Sequence, residues 1–272
     1  MQSIKAVLKN VNSIPFPLTI KHYYPFEEST AFLKDEELNS SDSWDALRKN
    51  HPHFSISENR EEWLKAAELQ VKKDGQDGGM IKRAHEVAKI IDKLGITSLF
   101  SAGVGGAGLE YQIKKMRPSI HLTCSEYAPQ NVERLKKVFL EANEITLFDM
   151  KNDDWSNALK VGVELEKQLC LLYRVDIDLT NDEFQKIFKK MHDAHIENVL
   201  IILCGRLTFR GLLNRFFQRL SWKIHSVPFK FAGYLRSLET FPKFWKYFYE
   251  AKELEFNGLK GFYLKKVSRS KN

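Results

Sequence analysis

Ser101-Ala-Gly-Val-Gly-Gly-Ala-Gly108 decides how the rest of the chain is read. The apolar run Ile96 to Ser101 leads into it and an amphipathic stretch begins near Leu109, so the local order is strand, glycine turn, helix. Gly103, Gly105 and Gly108 satisfy G-x-G-x-x-G. Glycines at these places let the backbone turn sharply and approach a ligand closely, and the helix that follows offers its free N–H groups to that ligand.

Downstream, four further short apolar runs follow at Ile120 to Ser125, Ile145 to Phe148, Leu169 to Val175 and Val199 to Cys204, separated by amphipathic stretches. This alternation is how βαβ units and a parallel sheet are written in sequence. Pro129 to Leu140 places Val132, Leu135, Val138 and Phe139 on one helical face, with Pro129 suited to the first turn. Thr180-Asn-Asp-Glu183 fits a capping box that opens a helix running to about His195. Glu253 to Phe256 and Gly261 to Val267 read as a terminal antiparallel hairpin turned at Asn257-Gly258. The expectation is a doubly wound α/β domain whose seven-stranded, mostly parallel sheet ends in that hairpin.

Upstream, Ile81, Ala84, Val87, Ala88, Ile91 and Leu94 recur at helical spacing, and Gly95 stands where a C′ glycine ends a helix. Before them Asp74-Gly-Gln-Asp-Gly-Gly79 is a turn-rich break. Residues 1–80 lack βα alternation, carry polar punctuation at Asn39 to Ser43 and hold a short helical stretch at Glu61 to Val71. They are expected to form a mainly helical N-terminal cap, with the main domain at 81–272 and an insertion over about 205–251.

The 272 residues are 43% hydrophobic and 28% charged, which excludes collagen, coiled coil and wholesale disorder. The longest apolar run, Val199 to Cys204, is far short of the roughly 20 residues of a bilayer span. Met1 to Ile20 lacks the unbroken apolar centre of a secretory signal, so a cytoplasmic location is expected. Cys124, Cys170 and Cys204 sit in separate apolar runs with no second cysteine at zinc-site spacing, and read as buried, reduced thiols. The net charge of +7 is uneven: from Gly205 onward there are 15 Lys and Arg against 4 Asp and Glu, and 16 of the 33 aromatic residues. Such a quarter suits a nucleic-acid or anionic partner, or a set of helices whose aromatics pack inward beneath a solvated basic face.

The second strand ends in Cys124-Ser-Glu126, 18 residues past Gly108, where a carboxylate can accept hydrogen bonds from both hydroxyls of a ribose. That pairing favours a nucleoside-containing cofactor, a nicotinamide dinucleotide or S-adenosylmethionine, over a bland glycine turn. The third strand also ends in an acid, in Leu147-Phe-Asp149-Met150. A carboxylate there can accept from an adenine amino group while Phe148 or Met150 offers apolar contact to the ring.

On these residues the chain resembles the class I S-adenosylmethionine-dependent methyltransferases, over roughly Ile81 to Lys266. The resemblance implies that Ala102, Gly103, Val104, Gly105 and Gly108 form the cofactor loop, that Glu126 holds the ribose, that Asp149 and Met150 lie on the adenine side with Tyr127 against the ring, and that Arg174 borders the cofactor. Ser101 stands where many members carry an acid. The fourth strand reads Leu171-Leu-Tyr-Arg-Val-Asp-Ile-Asp178 in place of the Asn/Asp-Pro-Pro-Tyr/Phe string of amino-group methyltransferases, which favours transfer to oxygen.

A hydroxyl acceptor needs a base, and Asp176 and Asp178 are the candidates; either can instead cap the turn that follows. Arg174 is placed to pair with one of them or with a substrate anion. Arg83 and His85 are read first as a solvated helix face. His192 and His195 have i,i+3 spacing, but no third metal ligand is evident, and no metal is expected. Arg206, Arg210, Arg215 and Arg236 of the insertion suit phosphate or carboxylate groups. The expected function is O-methylation of a small or glycan- or lipid-linked anionic acceptor. The alternatives are an RNA methyltransferase using the basic quarter, or a catalytically inactive binding module.

Overall fold

The computed structural model describes residues 13–25, 56–69, 72–73, 76–77, 79–227 and 229–267. The punctuation at Asn39 to Ser43, and most of the turn-rich break before Gly79, lie outside the described residues. In chain order the elements are β1 (Thr19–Pro25), α1 (Arg60–Leu69), the two-residue strands β2 (Lys72–Lys73) and β3 (Gln76–Asp77), α2 (Met80–Leu94), β4 (Ser98–Ala102), α3 (Gly108–Met116), β5 (His121–Glu126), α4 (Pro129–Val138) and β6 (Glu144–Leu147). There follow β7 (Gln168–Tyr173), α5 (Asn181–Asp193), β8 (Asn198–Ile202), α6 (Phe209–Ile224), β9 (Phe229–Arg236), α7 (Pro242–Trp245), β10 (Tyr249–Phe256) and β11 (Leu259–Lys266).

Seven strands form one sheet in the order β6-β5-β4-β7-β8-β11-β10. The five from β4 to β8 are parallel, β11 runs antiparallel to β8, and β10 pairs antiparallel with β11. Every residue of β4 and β8 is buried, because central strands of a parallel sheet are covered on both faces and hence read as unbroken apolar runs. One face, through Phe100, Cys170 and Leu172, packs on Phe184 and Phe188 of α5 and on Trp245 of α7. The other, through Leu99, Leu122 and Leu171, packs on Val87 and Ile91 of α2, Ile113 of α3 and Leu135 of α4. The chain leaves β4 in one direction for β5 and β6, then crosses back to β7. Ligands in doubly wound sheets bind at such a switch point, outside the carboxyl ends of the strands.

Local signals set the boundaries. Gly95 at φ 62° ends α2, and Ile96 N–H reaches back to Ile91 O, which closes the last turn. Thr180 and Glu183 make both hydrogen bonds of the capping box. Asn257 and Gly258, at φ 42° and 84°, make the two-residue turn of the final hairpin. β7 stops at Tyr173, earlier than its apolar run suggests, because Arg174 adopts φ 61°. Asp176 and Asp178 therefore lie in a turn beyond the strand.

β1 pairs antiparallel with β9, Thr19 facing Arg236 217 positions later in the sequence, so the N-terminal region and the insertion share a two-stranded sheet. α1 lies against α3 and α4 through Trp63, whose ring meets Tyr111 and Phe139 at 5.4 and 5.2 Å. Trp63 Nε1 donates to Gly106 O at 3.0 Å, so this helix buttresses the glycine loop from outside.

Candidate functional site

The glycine loop leaves β4 and folds back on β5: Gly103 and Val104 both donate to Ser125 O, at 2.9 and 3.1 Å. Gly103 sits at φ +70°, and a Cβ there would come within 2.9 Å of Val175 Cγ1, so both the conformation and the space require glycine. Gly105 N–H donates to Glu126 Oε2 at 2.9 Å, joining the second glycine to the acid at the end of β5. Glu126 is 3% exposed. Ala107 at φ 55° turns the chain into α3, which opens at Gly108.

A cavity of about 190 Å³ opens at the carboxyl ends of β4, β5, β6 and β7. Gly103 and Gly105 form one wall, Glu126 and Tyr127 the β5 side, and Phe148, Asp149 and Met150 the β6 side. Val175, Asp178 and Leu179 close the β7 side, and Lys151, whose ammonium lies 3.6 Å from Glu183, completes the lining. Of the residues singled out in the sequence, Gly103, Gly105, Glu126, Tyr127, Asp149, Met150 and Asp178 are thus brought to one cavity. Ala102 and Val104 are packed into the sheet and its α-helical layer beside it.

The two candidate bases are separated by the fold. Asp176 is 3% exposed, accepts from Cys204 N–H at 2.6 Å and ties the end of β7 to the end of β8, away from the cavity. Burial raises its pKa to about 6, against the pull of the Cys204 N–H and Arg236. Asp178 lines the cavity, and burial together with the charges of Asp176 and Glu126 raises its pKa to about 7. Asp149 spends its carboxylate on its own turn, accepting from Lys151 N–H at 2.8 Å and from Asn152 Nδ2 at 2.7 Å. Arg174 points away from the cavity, toward Cys204 Sγ at 3.5 Å and the Tyr173 ring.

The sheet order, the glycine loop and the carboxyl-end cavity can be compared directly with solved structures. TnmH superposes with a TM-score of 0.55 at 16% identity, over 98% of this chain and 68% of that one. The magnesium protoporphyrin IX methyltransferase ChlM from Synechocystis PCC 6803, with bound SAH, gives 0.53 at 11% identity, over 84% of this chain and 100% of that one. The mitomycin 7-O-methyltransferase MmcR gives 0.50 at 17% identity, over 88% and 75%. The chain has the class I S-adenosylmethionine-dependent methyltransferase fold. No protein-family model and no curated protein sequence matches it, so the kinship is one of fold.

Within that methyltransferase fold, two features escaped sequence reasoning. The first is Glu110, on the first turn of α3. Its carboxyl is 1% exposed and accepts from Ser101 Oγ at 2.7 Å, so an acid from the helix occupies the neighbourhood where β4 itself carries serine. No spacing rule links positions 101 and 110. Burial raises the Glu110 pKa to about 7. The folded state then holds this proton more tightly than the unfolded chain, and the stability it confers, full below about pH 4.5, is lost as pH rises to about 7. Glu110→Gln is expected to match the native protein at pH 4.5 and to exceed it by about 3 kcal/mol at pH 8 in urea unfolding.

The second is Arg236. It was expected to meet an anion, and the structure corrects this: it is 1% exposed and internal. Its Nε donates to Asn181 Oδ1 at 2.8 Å and its Nη atoms donate to the carbonyls of Asp176 and Leu179. One guanidinium from the insertion thus fixes the turn that carries Asp178. Arg215 and Arg219 also face inward, toward His22 and Tyr23, while Arg206 and Arg210 are exposed and outside the cavity lining. Arg83 Nη1 meets Tyr173 OH at 3.2 Å, and His85 is exposed. Cys124 and Cys170 are buried as expected; Cys204 is only partly so. Among the described residues no cluster of metal-ligating side chains occurs and no helix is long and apolar enough to cross a membrane.

Proposed function

We propose that the protein is a methyltransferase that binds S-adenosylmethionine in the carboxyl-end cavity and methylates a hydroxyl of a small acceptor. The observation that carries this reading is the joining of Gly105 N–H to Glu126 at the wall of a cavity whose other side is Asp149. The lining fits the cofactor in kind: Gly103 keeps the wall clear of a side chain, Phe148 and Met150 are apolar beside Asp149, and the surplus of carboxylates suits a cationic sulfonium. The bound cofactor supplies an electrophilic methyl carbon. Glu126 would hold the ribose hydroxyls, and Tyr127 and Met150 would flank the adenine. Asp178 would accept the proton of the acceptor hydroxyl as the methyl group is transferred.

Among the charged residues of the lining, Glu126, Asp149 and Asp178 are acidic and only Lys151 is basic, its ammonium lying 3.6 Å from Glu183, while the insertion's arginines are elsewhere. This supports a neutral hydroxyl acceptor over a strongly anionic one, and a small acceptor over RNA, because three of the basic quarter's arginines are turned into the protein. Since Asp178 acts only when ionised, transfer is expected to climb with pH to a plateau with an apparent pKa near 7. The positive charge of the sulfonium would pull that value down, and the exclusion of water from the filled cavity would push it up. Asp178→Asn should reduce kcat by about 10²- to 10⁴-fold and flatten the profile while cofactor affinity persists. Methyl-labelled S-adenosylmethionine added to fractionated cell extract tests the acceptor: label in the small-molecule fraction is expected, and label in RNA overturns the reading.

A further inference from the structure

We propose that α6 docks on the surface of an anionic lipid bilayer. The helix has 16 residues, about 24 Å, and none of them is buried. Phe209, Leu213, Phe216, Phe217, Leu220 and Ile224 are 42 to 68% exposed. At about 100° per residue these six fall within one arc of about 100°. Lys223 stands about 20° beyond one edge of the arc and Arg210 about 20° beyond the other.

The side of α6 turned toward the protein is mixed: Leu212 packs on Ile14, Leu207 and Leu235, and two arginines reach polar partners beside it. Arg215 Nη1 donates to the ring of the buried His22, and Arg219 donates to Lys21 O and lies 4.4 Å over the Tyr23 ring. A helix on the surface of a globular domain ordinarily turns its apolar stripe to the core. Here the stripe faces outward with cations along its borders, the arrangement that lets a helix lie in the headgroup plane with its apolar side sunk into the acyl boundary.

Charge selects the bilayer over a second copy of the chain. Arg210 and Lys223 border the exposed face and the helix has no acidic residue, so two copies meeting through this face would bring like charges together with no helical carboxylate to offset them. An anionic lipid surface supplies the opposite charge along its whole length. The helix is linked to the candidate site through β9: Leu207, just before α6, donates to Arg236 O at 2.7 Å, and Tyr234 of β9 donates to Ile177 O at 2.8 Å, in the turn that carries Asp178.

Sedimentation of the full chain with vesicles tests this. Binding is expected to vesicles of phosphatidylcholine containing about one third phosphatidylserine, and to weaken with salt and with omission of the anionic lipid. Phe216→Ser with Phe217→Ser should lower partitioning by about a hundredfold, and Arg210→Gln with Lys223→Gln by about tenfold, with Tm and S-adenosylmethionine affinity unchanged in both. Failure of the native chain to bind anionic vesicles overturns the proposal. So does a dimer that the double Phe variant dissociates, which identifies a second copy as the occupant. A marked fall in Tm in that variant overturns it too, because the face is then covered by the chain itself.

Discussion

Arg236→Met is expected to destabilise the protein by about 3 to 5 kcal/mol in urea unfolding, the largest loss of stability that the structure implies. The guanidinium satisfies Asn181 Oδ1 and the carbonyls of Asp176 and Leu179 in a setting that is 1% exposed. Truncation leaves the two carbonyls facing an apolar side chain, while Asn181 Oδ1 keeps the Thr19 hydroxyl at 3.3 Å, and each buried acceptor without a donor costs about 1 to 3 kcal/mol. The rings of Phe184, Tyr234 and Phe244, within 5.6 to 5.7 Å of the guanidinium carbon, add an attraction that methionine does not reproduce. Arg236→Lys should recover only part of the loss, since one ammonium cannot span the fork that reaches both carbonyls and Asn181. A cost below about 1 kcal/mol for Arg236→Met would show that the turn is held by other contacts.

Glu126→Ala is expected to weaken S-adenosylmethionine binding by roughly ten- to a hundredfold, the largest effect expected on cofactor affinity. A hydrogen bond to an ionised group contributes about 1.5 to 3 kcal/mol, which is one to two decades in Kd. The variant loses the proposed ribose contact, and it also releases Gly105 N–H, 2.9 Å from the carboxylate, so that the loop is less well fixed. Glu126→Gln can still accept from Gly105 N–H and should fall between the two. Unchanged affinity in Glu126→Ala would remove the ribose assignment.

Four of the five parallel strands and the final hairpin were legible because burial on both faces of a strand leaves a nearly uninterrupted apolar run, and because Asn257-Gly258 has the backbone freedom that a two-residue turn demands; β6, at the sheet edge and without a buried residue, was legible from its place in the strand–helix alternation. Glu126 and the glycines were legible for a related reason: their places follow from where strands end, and strand ends are local. β1 and β9 were not. Their partners lie 217 positions apart, and neither Thr19–Pro25 nor Phe229–Arg236 is bounded by a hairpin signal that joins them. The same distance hid Arg236, whose composition-level reading as an anion ligand gave way to burial among carbonyls of a turn some 60 residues earlier. Asp176 and Asp178 looked equivalent in sequence, and the positive φ at Arg174 separates them by ending β7 early, leaving one aspartate bound to Cys204 N–H and the other on the cavity.

The most direct test of the whole reading is calorimetric titration of the native chain with S-adenosylmethionine, beside a parallel titration with a nicotinamide dinucleotide. The account predicts saturable one-to-one binding of S-adenosylmethionine that weakens in Glu126→Ala, and no saturable binding of the dinucleotide. Binding of the dinucleotide alone, or of neither, in protein shown to be folded would contradict it.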